Sequence, residues 1–504
     1  MTDSYQITTL IVLGGFMSVL FYLVYKSRVK TESLEVYAVG NKSFSSLSVA
    51  LSLAASITSA ATFIINPGFI ALYGLSAFLA FGVVMPFAIY AALIIFIKRF
   101  RKYGMNVKSI SIADWVGKRY DSNFLKIFFG FLSMLLITFI VLICVGMTKV
   151  VSKALNANEL TILIIIVVVV FTYMMIGGAN TMVYTNSVQA ILMIIVAVLL
   201  LGSGAALLFK TGDDGFIHQL NLIDPSLTQA FNKQSPLFRD FFEVVVCNTI
   251  VGIAIVCQPH ILTKSLLIKK DSQVNRFLLY TVLVLILFFS VVFVGIYARL
   301  SFPDLMFNGT KLNMDGIVSA YVLYRFPVYV GIVVILGLLA AGLSTLEGLI
   351  QSIPTTITND FILPIAKIAK LNTAPMKINK VLTVIVGIIA ILLSYDQLIN
   401  PSLSVGIFAQ NGVYAFFSAA FVPVFFGIFT KTQNKWIPIV ASLVAIFTHF
   451  GVYYLELTPY MEGMAVKNPA IASALALLLS TLTGLIIYAI KPMNKKMTPY
   501  VNSQ

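Results

Sequence analysis

Charge is the scarcest property of this sequence. Only 11% of its 504 residues are Asp, Glu, Lys or Arg, against about 25% in an average soluble chain. Its three cysteines, Cys144, Cys247 and Cys257, all fall inside apolar runs without ligand spacing, which excludes a thiolate metal centre and leaves them as packing residues. Histidine is equally sparse. His218, His260 and His449 stand on separate segments, none beside a nucleophile motif, and no HExxH, P-loop or dinucleotide fingerprint interrupts the chain. No catalytic residue or cofactor-binding motif is therefore assigned, and an enzyme is not expected.

Apolar residues are what the sequence has in abundance. They make up 59% of it, with a mean hydropathy of +0.96, and a soluble fold has no place for so much apolar surface. Stretches of about 20 residues, enough to cross a ~30 Å hydrocarbon core, recur from end to end. The expected fold is all-α and polytopic, with about 13 membrane spans centred near residues 16, 58, 86, 138, 168, 197, 251, 287, 340, 387, 416, 445 and 479. No soluble domain of appreciable size remains, so residues 1–504 read as one transmembrane unit. The first run, residues 7–25, has no basic segment before it and no small-residue cleavage site after it, and reads as a retained helix.

The net charge of +15 is dispersed over short loops and forms no stripe, which argues against a nucleic-acid partner. Taking alternate loops together, roughly 25 of the basic residues share one face. Among them are Lys26, Arg28, Lys30, Lys42, Lys98, Arg99, Arg101, Lys102, Lys264, Lys269, Lys270, Lys491, Lys495 and Lys496. The positive-inside rule then places the C-terminus in the cytoplasm and the N-terminus outside, in an inner or plasma membrane. The two longest outer loops, 210–239 and 301–326, are long enough to contain short helices.

Irregular backbone survives at membrane depth only where protein or a water-filled cavity surrounds it, so interruptions of the apolar pattern are informative. The second span reads SLAASITSAATFIINPGF, crowding Ser52, Ser56, Thr58, Ser59 and Thr62 among alanines ahead of Asn66-Pro67-Gly68. Proline disfavours helix at Asn66, and a broken helix there would free carbonyls, hard-oxygen ligands suited to sodium. Small residues that permit close helix packing are the other reading of the same segment. The ninth span reads GLLAAGLSTLEGLIQS, with Ala341, Ser344 and Thr345 at i, i+3 and i+4 on one face. Two hydroxyls and a carbonyl there could complete a neutral shell of five oxygens begun by the second span, a composition for a monovalent rather than a divalent ion.

These residues, with WVGKRY at 115–120, IGGANTMVYTNSVQ at 176–189, CQPHIL at 257–262 and AAGLST at 340–345, together resemble the sodium/solute symporter family over nearly the whole chain. The resemblance implies a LeuT-like core of two inverted five-helix repeats, about residues 45–208 and 239–430. Peripheral helices would lie at about 7–26, 436–454 and 469–490, with ion and solute where broken helices meet. It implies sodium held by Ala55 and Thr58 of the second span and by Ala341, Ser344 and Thr345 of the ninth. CQPHIL looks more like the proline, pantothenate and acetate carriers than the sugar carriers. The implied cargo is a small organic solute bearing a carboxylate (an amino acid, a monocarboxylate or a pantothenate-like acid) in a pocket of Thr58, Ser59, Thr62, Gln258 and His260. The proline branch has an aspartate where Ile57 stands here, which speaks against proline itself.

One departure concerns charge. Members that bind a second cation have an aspartate where Asn186 stands, whereas this chain has Glu347 where they have a serine. An intramembrane carboxylate costs about 2.5 kcal/mol or more and marks a functional candidate. Asn186 and Glu347 are therefore a candidate second cation or proton site, the alternative being a Glu that reaches a cytoplasmic loop or pairs with a lysine there. Sodium-coupled import by alternating access is the expected function. A transporter-like membrane sensor and a sodium-independent uniporter are the competing readings.

Overall fold

The computed structural model describes residues 3–27, 33–40, 44–400 and 404–490. The basic residues Arg28, Lys30, Lys42, Lys491, Lys495 and Lys496 lie outside the described residues. Among the described residues ten helices are long and apolar enough to cross a membrane, and two bent helix pairs, each taken as one span, bring the number to 12. One of the ten, Glu159–Gly202, runs 44 residues and is broken at Gly178. At ~1.5 Å per residue it is about twice a bilayer core in length, and its two arms, counted separately, give thirteen spans.

In chain order these are span one, Asp3–Ser27; span two, Ser46–Ile57 with Ala61–Tyr73; span three, Leu75–Asn106; and span four, Asn123–Leu155. Spans five and six are the arms 159–177 and 179–202. Span seven is Phe242–Cys257 with Pro259–Leu267, span eight Asp271–Ser301 and span nine Val328–Ile368. Spans ten to thirteen are Pro375–Ile399, Val405–Phe429, Trp436–Tyr454 and Pro469–Ile490. Ile94, Ile165, Val198, Leu283, Ile388 and Leu482 are each more than half exposed, the surface of a body solvated by lipid.

The break in span two is not where proline placed it. The helix ends at Ile57, resumes at Ala61 and bends by 55°, eight residues before Asn66. Pro67 falls in the first turn of the Asn66–Tyr73 helix, directly after a π-helical turn at Ala61–Ile65. That wider winding takes in the ring without ending the helix. Span seven breaks where its proline stands: Gln258 is extended (φ −78°, ψ 143°) ahead of Pro259 and the axis turns by 63°, as a residue before proline prefers.

Gly178 of the 176–189 motif and the WVGKRY segment have structural roles. Gly178 has φ +64°, and a Cβ there would meet Tyr37 at 2.9 Å, so the turn between spans five and six needs glycine. In WVGKRY, Trp115 stacks on Phe100 with centroids 4.9 Å apart. Arg119 donates to the carbonyls of Gly427 (3.0 Å) and Thr430 (2.7 Å), and the Tyr120 hydroxyl donates to that of Pro423 (2.8 Å). The motif clamps the end of span eleven, where helix carbonyls lack intrahelical donors.

The long loops contain the short helices Phe216–Ile223 and Ile317–Arg325. Between spans eight and nine there is also a small hairpin, Met306–Phe307 paired with Thr310–Lys311. Its turn is Asn308-Gly309, both at positive φ, the residue pair a two-residue hairpin loop prefers.

Candidate functional site

The break in span two ends the run of intrahelical donors, and the carbonyls of Ala55 and Ser56 accept hydroxyls from span nine instead. Ala54 O accepts the Thr58 amide (3.1 Å) and the Thr58 hydroxyl (2.7 Å). Ala55 O accepts the Ser344 hydroxyl at 2.8 Å and the Thr345 hydroxyl at 3.4 Å. Ser56 O accepts the Thr345 hydroxyl at 3.1 Å. Ser344 Oγ also lies 3.1 Å from the Ala341 carbonyl, and Ser56 Oγ donates back to the Ser344 carbonyl at 3.0 Å.

Ala55, Ala341, Ser344 and Thr345 thus converge within hydrogen-bonding distance, and all four are fully buried. Thr58, also buried, forms the break itself. Neutral oxygens facing the C-terminal end of the Ser46–Ile57 half-helix present the negative pole of its dipole to whatever they hold. Small size, hard oxygen donors and no carboxylate suit a monovalent cation. Among the described residues no group of three or more His, Cys, Asp and Glu is arranged to hold a metal.

The solute candidates divide into two groups. Thr58, Ser59 and Thr62 are buried at the break in span two, where Ser59 Oγ accepts the Ala61 amide at 3.0 Å and starts the second half-helix. Gln258 and His260 are buried at the break in span seven. A methyl group added to Gly348 would stand 3.3 Å from His260 Cβ and 3.6 Å from Ser56 Oγ, so His260 faces the place where spans two and nine meet. Gln258 Oε1 and both ring nitrogens of His260 have no protein partner. Buried polar atoms normally have one, and a polar ligand between the breaks would supply it.

Asn186 and Glu347, both fully buried, bond to different partners. Glu347 accepts from the Tyr173 hydroxyl (2.7 Å), from Gln189 Nε2 (2.6 Å) and from the Thr185 hydroxyl. It does not reach a loop. Asn186 Nδ2 donates to Ser52 Oγ (3.3 Å), Ser56 Oγ (3.2 Å) and the Ser344 carbonyl (3.2 Å).

A residue assigned above to the basic cytoplasmic loops belongs here instead. Lys264 is 2% exposed, and its ammonium donates to Ser52 O (2.7 Å), Ser52 Oγ (3.0 Å) and Ser56 Oγ. Its place four residues after His260, on the far arm of a proline-broken span, was the available signal. Counting charge by loop concealed it, whereas Lys269 and Lys270 beyond the Leu266–Ile268 run remain on the basic face.

The sodium:solute symporter family model matches residues 37–444. The chain belongs to that family. As a member it is a multi-pass membrane protein that imports a solute coupled to sodium. Among characterised relatives, the sodium/pantothenate symporter of Escherichia coli (strain K12) is 26% identical over 496 residues, covering 95% of this chain and 96% of that one. The sodium/pantothenate symporter of Haemophilus influenzae is 23% identical, with 86% of each chain covered. The fold is shared with a Na+-coupled sialic acid symporter solved in a substrate-bound, outward-open state (TM-score 0.77, 16% identity, 97% of this chain and 99% of that one). It is shared more distantly with a nucleobase-cation-symport-1 transporter in a closed conformation (TM-score 0.52, 12% identity, 90% and 95% covered). These likenesses establish the LeuT-like architecture.

Proposed function

We propose that this symporter imports a pantothenate-like carboxylate together with sodium. In this reading sodium is held by the carbonyls of Ala55, Thr58 and Ala341 and the hydroxyls of Ser344 and Thr345. The solute is bounded by Thr58, Ser59, Thr62, Gln258 and His260. The carrying observation is the Ser344 hydroxyl on the Ala55 carbonyl at 2.8 Å, which joins span nine to the broken end of span two. A cation between them binds both spans at once, so its affinity depends on their separation, and that dependence is the coupling between ion and conformation.

The carboxylate class is supported by the relatedness to sodium/pantothenate symporters along nearly the full chain. It is also supported by the unpartnered Gln258 and His260 atoms, which can bond an amide or hydroxyl of the solute. The N-terminal end of the Ala61–Tyr73 half-helix offers backbone amides to its carboxylate. Spans two to six and seven to eleven act as the two halves that rock about this site, in an inner membrane with the C-terminus in the cytoplasm, the side favoured by the basic loops.

Reconstituted protein under an imposed inward sodium gradient is the test, with labelled pantothenate set against proline, acetate and a sugar. Concentrative, sodium-dependent accumulation of pantothenate is the expected result. Equilibration without concentration would make the protein a uniporter, and binding without uptake a sensor. Accumulation of acetate or a sugar in preference to pantothenate would overturn the solute class.

A further inference from the structure

The Lys264 ammonium is an unusual occupant of the seam between the halves. Its three protons meet three oxygens, the Ser52 carbonyl and the Ser52 and Ser56 hydroxyls, and no carboxylate. That is the kind of shell a small monovalent cation takes from a protein. The Ser56 hydroxyl that caps it also donates to the Ser344 carbonyl, and Ala55, the neighbouring residue, faces Ser344 and Thr345. The ammonium therefore sits one residue from the proposed sodium cage, in the same run of oxygens.

Charge balance identifies its partner. Glu347 is surrounded by neutral donors from Tyr173, Thr185 and Gln189, which satisfy its lone pairs but not its charge. Among the described residues the fully buried cations are Arg101 and Lys264, and Arg101 is paired with Asp271. That leaves Lys264, whose ammonium bonds oxygens without charge. Asn186 lies between their two networks. It donates to Ser52, Ser56 and the Ser344 carbonyl, and the Thr185 hydroxyl next to it in sequence reaches Glu347. An uncompensated carboxylate at this depth is costly, and an ammonium reaching in from span seven compensates it permanently.

We propose that Lys264 is a tethered cation which, balanced by Glu347, fills a second monovalent-cation position between spans two, six and nine, so that the carrier binds a single sodium ion. This rests on the sodium cage proposed above. In place of a second dissociable ion, the chain carries one on span seven, tying that span to the break of span two.

Sodium binding to the detergent-purified protein tests it without transport, by equilibrium uptake of radioactive sodium and by sodium-dependent thermal stabilisation. Wild type should bind about one ion per protein with a Hill slope near 1, and Lys264→Met, with Glu347 retained, should bind about two with a slope rising toward 2. Glu347→Gln should lower the melting temperature by leaving the ammonium unbalanced. The double variant Lys264→Met/Glu347→Gln should recover at least half of that loss and bind one ion. Two ions bound by wild type would overturn the proposal, as would one ion bound by a folded Lys264→Met, or a double variant no more stable than Glu347→Gln. Ser344→Ala separates the two readings: persistence of sodium binding in that variant would refute the cage and leave the ion count of Lys264→Met to be judged by itself.

Discussion

The Ser344 hydroxyl and the Ala55 carbonyl are 289 residues apart in sequence and 2.8 Å apart in the fold. The bond forms because span two stops at Ile57, which strips that carbonyl of its helical donor, and because Ser344 and Thr345 lie on the face of span nine that meets it. Removing one hydroxyl from a five-oxygen shell should weaken sodium binding by the value of one charge-assisted contact, ~1.5–3 kcal/mol. Ser344→Ala and Thr345→Ala should each raise the sodium concentration for half-maximal uptake about tenfold or more, with expression near wild type. Sodium titration of initial uptake rates checks this, and unchanged activation in both variants would remove these hydroxyls from the ion site.

A second expectation concerns His260. It is buried at the break of span seven with both ring nitrogens unpartnered and Phe139 6.0 Å from its ring centre. A side chain that only fills space should tolerate Leu in place of His. A side chain that bonds the solute should not. His260→Leu should raise the solute KM by about tenfold, the value of one lost bond to a buried polar group, while His260→Asn recovers part of it. The sodium dependence of thermal stability measured without solute should stay as in wild type.

The spans were legible because lipid imposes a length and a composition on each of them, and each expected centre falls within one of the thirteen. The meeting of Ala55 with Ser344 and Thr345 follows from the family resemblance, and hydroxyls among small residues, which gain nothing in a lipid-facing helix, point to the same two spans. The break itself was placed wrongly. Pro67 looked decisive, yet a π turn takes it in, and the helix ends at Thr58, whose hydroxyl competes for the Ala54 carbonyl. Lys264 was misread for another reason. Charge counted by loop groups it with Lys269 and Lys270, because a span broken at Gln258 has a second arm too short to stand out as membrane. Tyr173, which donates to Glu347, looked like any aromatic in an apolar helix, because only the fold opposes it to a carboxylate.

The turn between spans five and six depends on one backbone conformation. Gly178 stands at φ +64°, with Tyr37 where a side chain would begin, and the Tyr37 hydroxyl is fastened to the Met174 carbonyl at 3.0 Å. Alanine there meets both a disfavoured φ and a steric contact, a combined cost of about 1–3 kcal/mol. Gly178→Ala should lower the melting temperature of the purified protein, whereas Gly202→Ala, with nothing within 4 Å of the added methyl, should not. Equal melting curves for the two would mean that the kink is not held by this residue.

The last prediction concerns the face that carries the basic loops. Asp360, buried near the end of span nine, accepts from Ser111 at the start of the Ile112–Arg119 helix and lies 3.4 Å from Lys126 of span four. Lys126 also reaches Asp114 at 3.0 Å, and Lys118 reaches the same carboxylate at 2.7 Å. The group ties three elements together beside a cavity of about 650 Å³ lined by Asp114, Lys118, Lys126 and Asn359. If the solute leaves by this side, these ion pairs must separate during the cycle, and weakening them should favour the open form. Asp360→Asn keeps the shape and the Ser111 bond but removes the attraction to Lys126. The three native cysteines are all buried, so a probe cysteine at Asn359 can be labelled over a low background. Its reaction with a membrane-impermeant thiol reagent should quicken about tenfold in the Asp360→Asn background, equivalent to ~1.4 kcal/mol of shifted equilibrium. Lys126→Met, which also removes the pair with Asp114, should give at least that increase, and adding Asp360→Asn to it should give no more, because the Asp360–Lys126 contact is already lost. Additive effects, or no change in labelling, would show that Asp360 and Lys126 stabilise the fold without guarding an exit.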